Sequence, residues 1–116
     1  MLGAAAAPAA GRLAEALAHD PSPQVRIGVA ETLAGLGHRT ADAVSFLAAA
    51  LDGHPCLAVR LQAVNALTYI PHEAARAARS AIDRAALSDQ EPLRCAGRYL
   101  RFVLDGTYTP GAPVFR

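Results

Sequence analysis

Three arginines recur in this chain at a fixed interval: Arg26, Arg60 and Arg94 (60 − 26 = 94 − 60 = 34). A guanidinium is a rigid fork of donors, so three in line can hold phosphates or carboxylates, one per step. A second set, Arg94, Arg98 and Arg101, falls at i, i+4, i+7. That spacing puts three charges on one helix face, suited to an anion or an acidic partner. His72-Glu73 is a pair of metal-ligating types, and His54 with Cys56 is half of a zinc-type ligand set. Ser45, Ser80 and Ser88 lack the Gly-x-Ser-x-Gly setting of a nucleophile elbow, and no Gly-rich phosphate loop occurs.

Each pattern also has a structural reading, and that reading is preferred throughout. The recurring arginines sit at helix starts, where the dipole is unfavourable to a cation. A turn carboxylate is therefore expected to answer each one, with Asp20, Asp52 and Asp89 as candidates. This makes Arg26, Arg60 and Arg94 a structural ladder rather than a phosphate site. Arg94, Arg98 and Arg101 fit the polar outer face that a terminal repeat needs. A Glu just after Pro71 suits a helix start, and no second pair with ligand spacing follows His54 and Cys56. Catalytic residues, metal ligands and cofactor-binding residues are therefore expected to be absent.

The elements that position these residues repeat with them. Each arginine follows an apolar residue (Val25, Val59, Leu93) and a polar, Pro-containing turn: residues 20–23, 52–55 and 88–92. A period between 20 and 50 residues marks a stacked solenoid in which one repeat cannot bury its own apolar face. The first helix is predicted from about Pro8 to His19, with Leu13 and Leu17 inward. Ser22 and Pro23 start a second helix, which places Val25, Val29, Ala30, Leu33 and Leu36 inward and ends at Gly35 and Gly37. Thr40 caps a third helix, which turns Val44, Phe46, Leu47 and Leu51 inward and stops at Gly53. A fourth buries Val59, Ala63, Ala66, Leu67 and Ile70 before Pro71 stops it. A fifth runs from Pro71 to about Leu87 with Ala75, Ala78, Ile82 and Ala86 inward; a sixth, Pro92 to Leu104, buries Leu93, Gly97, Leu100 and Leu104.

The expected fold is thus all-α: an α-solenoid of three helix pairs in residues 1–105, with repeats at about 8–37, 40–70 and 71–105. Residues 106–116 read as an extended tail, whose Val114 and Phe115 can cover a second apolar stripe of Cys95, Tyr99 and Phe102.

Composition agrees. Roughly a quarter of the 116 residues are Ala, aromatics are 5% and Trp is absent, which favours closely packed helices over a sheet. All eleven basic residues are Arg, yet net charge is only +1. No global field therefore draws in nucleic acid or acidic membrane. Two cysteines make no disulfide framework. The small, Ala-rich start reads as helix rather than a signal peptide, and no apolar run reaches membrane-spanning length. A cytoplasmic location is favoured.

Residues 20–37, Asp-Pro-Ser-Pro-Gln-Val-Arg-Ile-Gly-Val-Ala-Glu-Thr-Leu-Ala-Gly-Leu-Gly, resemble a short bacterial HEAT-type repeat, akin to those of phycobilin-lyase accessory proteins. Residues 59–67 match it again. The third copy reads as degenerate, since Leu100 follows Arg94 by six residues whereas Leu33 and Leu67 follow their arginines by seven. The resemblance implies the solenoid but leaves the task open, since such repeats serve many. The single His72-Glu73 pair is similar to those of HEAT-type deoxyhypusine hydroxylases, which need several pairs; the aligned arginines are similar to the phosphate-holding ones of HEAT-like alkylpurine glycosylases. Residues 59–67, with Arg98-Tyr99-Leu100 and residues 105–110, are also similar to the repeat tails of some bacterial sulfatase-family proteins. That likeness implies an accessory part without a catalytic domain. Cys56-Leu57-Ala58-Val59-Arg60 resembles the nucleophile stretch of those enzymes, but Ala58 replaces its Pro and the metal-binding carboxylates are missing.

The expected function is a non-catalytic interaction, scaffold or accessory module. Its partner surface is expected along the second helix of each pair: Glu31 beside Gly28 and Gly35, then Gln62, Asn65 and Tyr69, then Arg98 and Arg101. Tyr69 is the expected anchor, because exposed aromatics dominate interfaces. The partner is expected to be a protein or a covalently linked catalytic domain. Imperfectly capped ends point to self-association or to docking on a larger polypeptide. The competing readings are a HEAT-like lyase or metal hydroxylase, or a phosphate binder of nucleic acid.

Overall fold

The structure, a computed structural model, describes residues 2–106, with side chains from Ala9 onward. The expected tail and its Val114 and Phe115 lie outside the described residues. The elements are α1 (Leu2–His19), α2 (Pro23–Leu36), α3 (Thr40–Gly53), α4 (Leu57–Tyr69), α5 (His72–Ala75), a 3₁₀ turn (Arg76–Ala78), α6 (Arg79–Ala85) and α7 (Glu91–Asp105). No strand occurs among the described residues. The architecture is an all-α solenoid. α1 packs on α2, α3 on α4 and α6 on α7; the pairs then stack through α2 on α3 and α4, α3 on α6, and α4 on α7. The overall extents are 47 × 32 × 19 Å, a slab about two helix diameters thick.

Local chemistry explains most boundaries. Ser22 caps α2, its Oγ accepting from the Val25 N–H, with Pro23 at the first helical position. Gly37, at φ 74°, closes α2 in the left-handed conformation, while Gly35 stays inside the helix. α1 begins earlier than predicted, at Leu2, and carries Pro8 in its interior; the Ala residues on both sides of it favour helix. Thr40 is the first helical residue of α3 rather than its cap. The cap position belongs to Arg39, at φ 51°, whose side chain reaches forward to Asp42 in the first turn.

The predicted fifth helix is broken by the 3₁₀ turn at Arg76–Ala78. Its buried residues explain the break: Ala75, Ala78 and Ala81 recur every third residue. A tighter, three-residue turn keeps such a spacing on one face, where a 3.6-residue turn drifts away.

The core is one cluster of Ala, Leu, Ile and Val, with no buried polar or charged residue among those described. The predicted inward sets of α4 and α7 are buried. In α2 the prediction fails at both ends of its stripe: Val25 is 47% and Leu36 43% exposed, while Ile27 and Ala34 are buried. The reason is the neighbour each face meets. Ile27 and Ala34 are buried where later helices stack on α2, whereas Val25 and Leu36 belong to the side that a preceding repeat would cover.

The third copy is not shifted. Moving α4's buried stripe of Val59, Ala63, Ala66 and Ile70 on by 34 gives Leu93, Gly97, Leu100 and Leu104, every one of them buried. Leu100 thus corresponds to Ala66, and the counterpart of Leu33 and Leu67 is Arg101.

The arginine positions and the candidate interaction surface

The recurring arginines donate to backbone carbonyls rather than to the expected turn carboxylates. Arg26 Nε donates to the carbonyl oxygen of Leu17 at 2.7 Å, and Arg60 Nε to that of Leu51 at 2.8 Å, each nine residues back. Arg94 NH1 donates to the carbonyl of Ser88 at 3.0 Å, with Glu91 4.0 Å from its NH2. Two of the three expected partners are engaged elsewhere: Asp20 Oδ1 accepts from the Ser22 N–H, and Asp52 pairs with Arg84 of the next repeat at 2.6 Å.

Geometry accounts for the change. Leu17 and Leu51 lie in the last turns of α1 and α3, whose carbonyls have no helical partner and carry the negative end of the dipole. A cation badly placed at the start of α2 or α4 is thereby well placed at the end of the antiparallel helix beside it. Arg26 also lies 4.5 Å from the centre of the Phe46 ring, which ties the first pair to α3. With Nε committed and each arginine half-buried, Arg26 and Arg60 stitch helices together rather than display a phosphate fork.

The other chemical candidates stay apart. Among the described residues no three His, Cys, Asp or Glu side chains come together as metal ligands. His54 Nδ1 instead accepts the Cys56 N–H at 3.0 Å, and both cysteines are exposed thiols. On α7, Arg101 lies 3.9 Å from Asp83, and Arg98 is exposed. The Asp105 and Asp83 carboxylates both accept hydrogen bonds from Arg79, which holds its guanidinium firmly in the charged form. In return, the hydrogen bond from Arg79 holds the Asp105 carboxyl below the usual aspartate range. Asp52 likewise favours the charged form of Arg84.

The expected partner surface is brought together in part. Glu31, Asn65 and Tyr99 are equivalent positions of α2, α4 and α7 (31 + 34 = 65; 65 + 34 = 99), half-buried in the first case and exposed in the other two. Beside them, Gly35 corresponds to Tyr69 and Val103. Tyr69 is 78% exposed and borders an open groove with Gly35, Pro71, His72, Glu73 and Arg76. Gln62 turns sideways: its Nε2 donates to the backbone carbonyl of Gln24 at 3.1 Å, joining α4 to the start of α2. Arg98 and Arg101 are not in this row. They correspond to Ala30 and Val64, and to Leu33 and Leu67, which are buried in the earlier helices. They therefore occupy the end face of the stack. The residue that sequence reasoning missed in the row is Tyr99, and the 34-residue translation applied to Asn65 would have found it.

No described helix is long and apolar enough to cross a membrane. A family model described as HEAT repeats matches residues 11–97. No curated protein and no solved structure matches the chain.

Proposed function

The chain belongs to the HEAT repeat family, and from that membership we propose that it is a non-catalytic interaction or scaffold module. HEAT repeats generally mediate protein interaction, and the surface proposed for it here is the row along the second helices. Tyr69 anchors that row, with Asn65 one turn before it, Glu31 and Gln62 on one side, and Arg98 and Arg101 at the end of the stack. The observation that carries this reading is the exposure of Tyr69 at the lip of the groove lined by Gly35, Pro71, His72, Glu73 and Arg76. A large aromatic held in water by a helix end is a ready anchor for a partner pocket. The mixed acidic, amide and basic edge suits a protein surface better than a polyanion.

The test is a photo-crosslinking amino acid at position 69, with one at Ser45 of α3 as control, in the native host. A discrete protein adduct at 69, absent at 45 and lost when Asn65→Ala accompanies the probe, is the expected result. Equal labelling at both positions, or none at 69, would overturn the assignment.

The likeness to sulfatase-family repeat tails suggests a linked catalytic domain as the partner. It rests on residues 59–67, 98–100 and 105–110 alone, and no match to a sulfatase accompanies the family match.

A further inference from the structure

The stripe at i, i+4, i+7, i+11 of each second helix is a stacking face, and the repeats show what normally covers it. In α4 the stripe is 0–3% exposed, since Val59 is at 1%, Ala63 at 0%, Ala66 at 2% and Ile70 at 3%. In α7 it is equally closed. The same positions of α2 are Val25, Val29, Thr32 and Leu36, and there the outer members are 47% and 43% exposed. Leu13 of α1 is half-buried where its equivalents Leu47 and Ala81 are buried. The leading end of the solenoid therefore presents a core-type face on which, among the described residues, nothing stacks.

We propose that a second copy of this chain covers that face, leading end to leading end, about a two-fold axis crossing α2. Two observations select this occupant. First, the opposite end cannot serve. The face that α2 and α4 offer to the next repeat includes Ala30 and Leu33, then Val64 and Leu67, all buried; in α7 those positions are Arg98 and Arg101. Head-to-tail stacking would bury two guanidinium groups against Val25 and Leu36; Arg101 has Asp83 beside it at 3.9 Å, but Arg98 has no such carboxylate among the described residues, and an unpaired buried charge is strongly unfavourable. Secondly, the 4-3-4 spacing of the stripe reads the same in reverse, and its members are three apolar residues and one threonine. Antiparallel pairing about its midpoint sets Val25 against Leu36 of the second copy and Val29 against Thr32 (25 + 36 = 29 + 32 = 61). No charge lies in that stripe. The Thr32 hydroxyl already donates to the Gly28 carbonyl at 3.0 Å, so pairing strands no donor. Such an isologous contact closes at two copies, whereas a head-to-tail one would propagate.

The contact is tested on the full chain by light scattering over a wide concentration range. The monomer mass is 12.0 kDa, and the expected species at high concentration is twice that. Val25→Asp and Leu36→Asp alter exposed positions and are expected to leave the helical circular dichroism intact. Each should abolish the dimer, whereas Tyr69→Ala should leave it intact, which separates this contact from the surface of the proposed function. In a Cys56→Ser, Cys95→Ser background, mixed Val25→Cys and Leu36→Cys chains should cross-link 25 to 36 in preference to 25 to 25. A chain that stays monomeric throughout would overturn the proposal. So would a dimer that survives both Asp substitutions, a 25-to-25 cross-link preference, or open-ended oligomers dispersed by Arg98→Asp.

Discussion

Arg60 of α4 donates its Nε–H to the carbonyl oxygen of Leu51, nine residues earlier and in the last turn of the antiparallel helix beside it. Arg26 makes the same bond to Leu17 one repeat before. The side chain thus repairs two defects at once: a cation leaves the positive end of its own helix, and an orphan carbonyl at the negative end of another gains a charged donor. The same contact fixes the turn between the two helices of the first and second pairs.

Replacing Arg60 by Ala should therefore lower stability by about 1.5–3 kcal/mol, the usual range for a hydrogen bond from a charged group. Arg60→Lys should recover only part, because a point ammonium on a flexible stem does not reproduce the guanidinium fork. Urea unfolding of the three proteins checks this. Equal stability of Arg60→Ala and the parent chain would remove the bond from the fold's support.

Among the described glycines, Gly97 alone leaves no room for a side chain. A Cβ added there would lie 2.7 Å from the Ala86 backbone nitrogen and 2.9 Å from the Ala85 carbonyl carbon. Backbone cannot swing aside, so Gly97→Ala should destabilise by about 1–3 kcal/mol as α6 and α7 are forced apart, against the helical preference for Ala. Gly11 in α1 meets nothing within 4 Å, and Gly11→Ala should stabilise by about 0.5–1 kcal/mol. Opposite shifts in thermal midpoint are the expected reading.

The Arg79–Asp105 pair, at 2.5 and 3.2 Å, ties the start of α6 to the end of α7. Because the folded state holds the Asp105 carboxyl below its ordinary value, the folded chain binds fewer protons there than the unfolded one. Its contribution is complete above the ordinary aspartate value of about 4 and is lost as pH falls through the lower, folded one. Asp105→Asn should thus reduce stability at neutral pH, with the difference from the parent vanishing in strong acid. Both side chains are about 40% exposed, so added salt should shrink the neutral-pH difference too. A mutant penalty that grows on acidification would contradict this.

Much of the scaffold was legible in the chain itself. The 34-residue interval, the Pro-bearing turns and the runs of Ala and Leu determine that helices form in pairs, roughly where most of them stop, and that they stack. These are local properties: helix propensity, capping and the angle of each residue about its own axis. What lay across the gap between helices was decided only in three dimensions. The acceptor for Arg26 and Arg60 is a backbone carbonyl, a group that every residue carries and no spelling of the sequence marks. Val25 and Leu36 have the right period for burial, yet period gives a direction and not a neighbour, and among the described residues nothing stacks on that side of the first repeat. The place of Tyr99 beside Asn65, and of Arg98 and Arg101 on the end face, follows from which flank of each helix its successor covers. That is a property of the stack, which no single helix holds.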